Sequence, residues 1–91
     1  MDIELLKLKA YVEISSYRLK TVKAIGENIK TPTKIAEDSE IKRNHMSKVL
    51  RELKEHGIAE CLNEEMKKGR LYRLTEQGLQ VNKMIKEEEV L

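Results

Sequence analysis

Tryptophan and phenylalanine are absent from this 91-residue sequence, and three tyrosines supply its only aromatic rings other than histidine. Modules that read single-stranded RNA stack bases on paired aromatic side chains, so that mode of binding finds little support. One cysteine, Cys61, rules out an internal disulfide framework and fits a reducing, cytoplasmic setting. No apolar run approaches the roughly 18 residues that a membrane span needs. The opening MDIELLKLKA has no basic stretch ahead of its apolar one, so it does not read as a secretory signal. Glycine is scarce and nowhere forms a phosphate-cradling loop. Metal-ligand spacings, and an acid and base paired beside a nucleophile, are missing too. The sequence is not that of an enzyme.

What is present is charge. Charged residues make up 37% of the chain and apolar ones 40%, which suits one small globular domain. The net charge is only +2, but it is unevenly spread. Residues 1–40 hold seven basic and seven acidic groups, and residues 76–91 hold two and four. Residues 41–75 hold nine basic and five acidic groups, an excess of four. A basic centre points first to an anionic partner.

Along the chain, Ile3, Leu5, Leu6, Leu8, Val12 and Ile14 open with a period that suits helix and strand almost equally, and we read a helix. Ser15 and Ser16 are good N-caps for a second helix, whose inward face is Leu19, Val22, Ile25 and Ile29, with Gly26 as its terminator. Thr31 and Pro32 start a short third helix, with Ile35 and Ala36 inward and Asp38-Ser39-Glu40 breaking the pattern. IKRNHMSKVLRELKEHG follows and ends at Gly57, a natural left-handed cap. Two helices joined by so short a turn match the helix-turn-helix unit. Ile58–Leu62 and Leu71–Leu74 read as strands around a polar turn, Asn63 to Gly69. Thr75 caps a last helix with Val81, Met84 and Ile85 as its apolar stripe, and Glu87-Glu88-Glu89 is expected to fray in solvent.

On a helical wheel, Met46, Val49, Leu50 and Leu53 share one side of the fourth helix. Asn44, Ser47, Lys48 and Arg51 share the other, with His45 at the flank. The outward face joins cations to groups that both donate and accept hydrogen bonds. Such side chains read base edges in a major groove, arginine or lysine at guanine and asparagine at adenine. The cations Lys42, Arg43, Lys48 and Arg51 precede any acid, as suits a helix that contacts DNA through its N-terminal residues. An ordinary solvated face would look similar, with Asn44 merely an N-cap and His45 a surface residue. A second acid-free cluster, MKKGRLYR at residues 66–73, favours DNA, because glycine at a hairpin tip leaves neighbouring cations free to reach out.

From TPTKIAE through NHMSKVLRELKEHG to GRLYRLTEQG, the sequence resembles winged helix-turn-helix transcriptional regulators, the small archaeal type and the ArsR/MarR-like superfamily. The resemblance covers about residues 15–80. It implies a mainly α fold with a small β-hairpin, a three-helix core carrying a two-stranded wing. By it, Asn44, His45, Ser47, Lys48 and Arg51 read bases from a recognition helix at about 43–56. Thr31, Thr33, Lys34, Lys42 and Arg43 meet phosphates, and Lys67, Lys68 and Arg70 form the wing. Metal-sensing members use clustered cysteines and histidines. One cysteine and two histidines, His45 and His56, cannot make a four-ligand site, so no metal cofactor is expected. The chain is also short for an effector pocket. The implied partner is double-stranded DNA. The competing reading is a protein-interaction winged helix within transcription or chromosome machinery, since the scaffold hosts both uses. Apolar residues in both flanks, Ile3 to Val12 in segment 1–14 and Val81, Met84, Ile85, Val90 and Leu91 in segment 81–91, predict a homodimer.

Overall fold

Helix boundaries in the computed structural model, which describes residues 2–90, follow the capping chemistry of the sequence closely. Asp2 caps α1 (Ile3–Glu13), its carboxylate accepting from the Glu4 and Leu5 amides. Ser15 caps α2 (Ser16–Ile25) by accepting from the Arg18 amide. Thr31 caps α3 (Pro32–Ser39), with Pro32 in the first turn, where its missing N–H costs nothing. The fourth helix, α4 (Arg43–Glu55), starts from Lys42 without any side-chain cap, so Asn44 is not an N-cap. Strands β1 (Ala59–Cys61) and β2 (Tyr72–Leu74) precede α5 (Glu76–Val90), whose Gly78 amide donates to the Thr75 hydroxyl.

The helix-turn-helix corner depends on two chain reversals of the same design. At the end of α4, Gly57 takes a φ of 70°, the Ile58 amide reaches back to the Leu53 carbonyl at 2.8 Å, and Gly57 bonds Lys54. This is a Schellman motif, with Ile58 driven into the core just beyond it. At the end of α3 the Ile41 amide bonds the Ala36 carbonyl at 3.1 Å in the same way. There the left-handed residue is Glu40, with a φ of 60°.

One core unites every element. Val12 of α1, Val22 and Ile25 of α2, Ile35 of α3 and Met46 and Leu53 of α4 are fully buried beside Ile58 and Val81. The hairpin is antiparallel, with Ala59 opposite Leu74 and Cys61 opposite Tyr72. Tyr72 and Leu74 point inward, and Arg73 pairs on the outer face with Glu60 at 2.9 Å. Cys61 packs against the core from the partly buried edge. Gly78 lets α5 seat directly on the start of the hairpin. A Cβ there would lie 2.0 Å from the Ile58 carbonyl oxygen, a distance no side chain tolerates.

Four expectations change. Ile29 is 53% exposed and lies beyond α2, because Gly26 (φ 54°) turns the chain toward the sheet. There Lys30 forms a bridge to Tyr72, a pairing between residues far apart in sequence. The strands are shorter than the apolar runs, although the Leu62 amide still bonds the Leu71 carbonyl at 2.8 Å. The acidic run does not fray. Glu88 pairs with Lys9 of α1 at 2.7 Å and Glu89 with Lys23 of α2 at 2.6 Å, both within a continuous helix. The bond to Glu88, with a second to Glu13, raises the Lys9 ammonium above its ordinary range. The flanks also bury part of the apolar surface expected to be free: Val12, Val81 and Ile85 belong to the core. Ile3, Leu6 and Val90 remain exposed, while Leu91 lies outside the described residues.

Candidate nucleic-acid interface

The helix α4 divides by burial as its periodicity requires. Met46, Val49, Leu50 and Leu53 are buried, while Arg43, Asn44, His45, Ser47, Lys48 and Arg51 are all exposed. Position around the helix then sorts the exposed set. Arg43, Ser47, Arg51 and Lys54, spaced by four, four and three, look toward the hairpin. With Thr31, Pro32 and Thr33 at the start of α3 and Lys67, Lys68, Gly69 and Arg70 at the hairpin tip, they line a cleft of about 720 Å³. Six cations border that cleft and no carboxylate does. In a concavity of this kind the low-dielectric walls focus the positive field outward.

Asn44, His45 and Lys48 do not line the cleft. His45 sits on the opposite flank, its ring 5.5 Å from that of Tyr17 in α2. Lys42 and Lys34 also stand outside it. Lys34 is drawn to Asp38 at 3.1 Å, and Lys30 bonds the same carboxylate at 2.7 Å. Lys30 above all, then Lys34, holds the Asp38 carboxyl below the usual carboxylate range. The Thr31 hydroxyl is engaged as the cap of α3, whereas Thr33 is exposed at the cleft rim.

The hairpin tip is built from within. Asn63 Oδ1 accepts from the Leu71 amide at 2.8 Å, and its Nδ2 donates to the Gly69 carbonyl at 3.2 Å. Arg70 donates Nε to the Met66 carbonyl at 2.7 Å and Nη2 to the Glu64 carbonyl at 3.1 Å. Arg70 therefore holds the loop in shape as well as adding charge, and Lys67 and Lys68 are the exposed cations that it presents. Sequence reasoning missed Lys54, because an alternating Glu-Leu-Lys-Glu stretch looks like an ordinary solvated helix end. Its spacing from Arg43, Ser47 and Arg51 was the available signal. Among the described residues no three histidine, cysteine or carboxylate side chains gather as a metal site, and no helix is long and apolar enough to cross a membrane.

No family model and no curated relative matches the chain. Solved structures do. TubR, solved bound to 24 bp of tubC from Bacillus thuringiensis serovar israelensis pBtoxis, matches with a TM-score of 0.78 at 12% identity. The match covers 92% of this chain and 94% of that one. The MarR family transcriptional regulator SPO1453 from Silicibacter pomeroyi DSS-3 matches at 0.73 and 11% identity, over 94% of this chain and 64% of its own. A mutant of Lactococcus lactis ZitR matches at 0.63 and 25% identity, over 81% and 50%. The chain thus spans nearly all of TubR but half to just under two-thirds of the other two. Five helices around a two-stranded antiparallel hairpin are the winged helix-turn-helix fold of MarR-like regulators, with β1, β2 and their turn as the wing.

Proposed function

We propose that this chain is a transcriptional regulator that binds specific sites in double-stranded DNA. The observation that carries the reading is the cleft between α4 and the wing, bordered by Arg43, Arg51, Lys54, Lys67, Lys68 and Arg70 and by no acid. Phosphate contacts from Lys67 and Lys68 anchor the wing on the backbone, with Thr31, Thr33, Lys42 and Arg43 on phosphates beside the helix and Lys34 at their edge. Arg51 and Ser47, then Asn44, Lys48 and His45 around the helix, read base edges. A protein-interaction subunit has no need to keep both the helix face and the wing free of acids. The likeness to TubR, solved on DNA, and to MarR family regulators supports the same reading.

The test is a salt titration of binding to a mixed-sequence duplex, followed by selection of bound fragments from random DNA. Replacing Lys67 and Lys68 by alanine weakens binding to all sequences alike and flattens the salt slope by about one unit per lost contact. An unchanged affinity and slope would remove the wing from the interface.

The regulator acts as a homodimer, with Ile3, Leu6 and Val90 on the packed pair α1 and α5 as the apolar surface left for a second copy. A twofold pair of recognition helices spaced about 34–36 Å apart reads a palindromic site. Because Val12 is core, point changes are the right probe, not deletion of α1. Ile3→Glu with Leu6→Glu leaves a folded monomer by light scattering; a parent chain that is itself monomeric at micromolar concentration rejects the dimer.

A further inference from the structure

Lys54 differs from the other cations of the cleft. Among the described residues Arg43, Arg51, Lys67 and Lys68 are in no ion pair, and Arg70 is turned onto wing carbonyls. Lys54 alone is paired, with Glu64 at the base of the wing. Glu64 does not line the cleft, whereas Lys54 does. Both side chains are about half exposed, 44% and 52%, so the pair is wet, weak and screened by salt. Its two halves also differ in freedom. The Glu64 backbone is pinned, since its carbonyl accepts from Arg70 and the Met66 amide bonds the Asn63 carbonyl at 3.0 Å. Only the carboxylate is free to swing. Parting the pair therefore requires side-chain rotation and no movement of the wing.

We infer that Glu64 is a latch on Lys54: it holds the ammonium while the cleft is empty and yields it to a backbone phosphate when duplex DNA enters. The inference rests on the DNA-binding reading above. Its physical basis is competition for one cation. A duplex offers a phosphate charge about every 1.7 Å of its axis, against one exposed carboxylate. Lys54 also lies one helical turn beyond Arg51, on the side that lines the cleft, so its amine reaches the same groove. The plainer reading is that Lys54 only complements the carbonyl end of α4, with Glu64 an incidental neighbour.

Fluorescence anisotropy of the full chain with a labelled mixed-sequence duplex separates the two. Lys54→Gln weakens binding and flattens the salt slope by about one unit, the signature of a lost phosphate contact. Glu64→Gln tightens binding by about two- to fivefold at low salt, the range expected of an exposed pair. That gain vanishes in the Lys54→Gln background. A Lys54→Gln slope equal to that of the parent overturns the latch. So does weaker binding by Glu64→Gln, which would make the pair a strut, or a gain that survives in the double variant, which would make Glu64 a general repellent of phosphate. A parent chain that binds no duplex defeats the DNA-binding reading itself and the latch with it. Parent binding with an unaltered Lys54→Gln slope defeats the latch alone.

Discussion

Tyr11 of α1 stacks on His56 at the end of α4, with ring centroids 3.7 Å apart and planes within 19° of parallel. The Arg18 guanidinium carbon lies 3.8 Å from the same Tyr11 centroid, so the tyrosine is held between an imidazole and a guanidinium on opposite faces. Arg18 also donates to the Tyr11 carbonyl at 3.0 Å and reaches the Glu52 carboxylate at 3.5 Å. His56 Nδ1 stands 3.0 Å from the Glu52 carbonyl. Three helices, α1, α2 and α4, thus share one aromatic and ionic knot. Burial pushes the Tyr11 phenol above its usual pKa, as expected for a ring in that position. The fourth helix, α4, is thus braced from behind by α1, a helix that the minimal three-helix motif does not include.

A double-mutant cycle measures that knot. Tyr11→Ala and His56→Ala, alone and together, are expected to show a coupling of about 0.5–1.5 kcal/mol in urea unfolding, the range for a stacked pair. Strictly additive losses would mean that the rings are neighbours without interacting.

Much of this was legible in the sequence, and for chemical reasons. Thr31 before Pro32, Ser15 before an apolar stripe and Gly57 after one are local signals, complete within a few residues, and each ends or starts a helix as expected. The split of α4 into a buried and an exposed face is likewise set by period alone. What escaped depends on residues far apart in the chain. Lys30 pairs with Tyr72, Lys9 with Glu88, Lys54 with Glu64 and Tyr11 with His56, and no local pattern announces any of them. Arg70 was read as a free cation because composition registers its charge and is blind to the carbonyls it binds. Cleft membership was the other gap: periodicity assigns Lys48 and Arg51 to one face, and only the position of the wing separates them.

Glu40 is the one non-glycine residue with positive φ among those described, and it is exposed, with no ion pair. A left-handed conformation costs an L-residue about 1–2 kcal/mol, and glycine's extra unfolded-state entropy takes back about 0.5–1. Glu40→Gly should therefore stabilise the chain by about 0.5–1 kcal/mol, raising Tm by about 2–8 °C. A lower Tm on thermal melting would show that the Glu40 side chain makes a contribution its exposure conceals.

Asp38 gives the fold an acid limb. Its carboxyl titrates below the usual range in the folded chain because Lys30 and Lys34 favour the charged form. The stabilisation is present above the ordinary carboxylate pKa and is lost as pH falls through the lowered folded value. Asp38→Asn is thus less stable than the parent at about pH 7, and the difference shrinks toward about pH 3, below the ordinary carboxylate range. Urea unfolding at the two pH values checks this, and a gap of the same size at both would remove Asp38 from the acid response.

Arg51 is the side chain on which base reading is most directly testable. It is exposed, lies in the cleft between helix and wing, and has no carboxylate partner among the described residues to hold it back. Its planar guanidinium can take two acceptors on one guanine edge, which an ammonium cannot do in the same geometry. On a site recovered by selection, Arg51→Ala should cost about 1–3 kcal/mol of binding, with a smaller loss on random duplex. Arg51→Lys separates charge from shape: it keeps the random-duplex affinity near that of the parent while most of the loss on the selected site remains. Lys48, farther round the helix and outside the cleft, should show the same order with a smaller gap, its loss on the selected site still exceeding that on random duplex. Equal losses for Arg51→Ala on the two duplexes would reassign Arg51 to the phosphate backbone and move base reading to the Asn44 and His45 side of the helix.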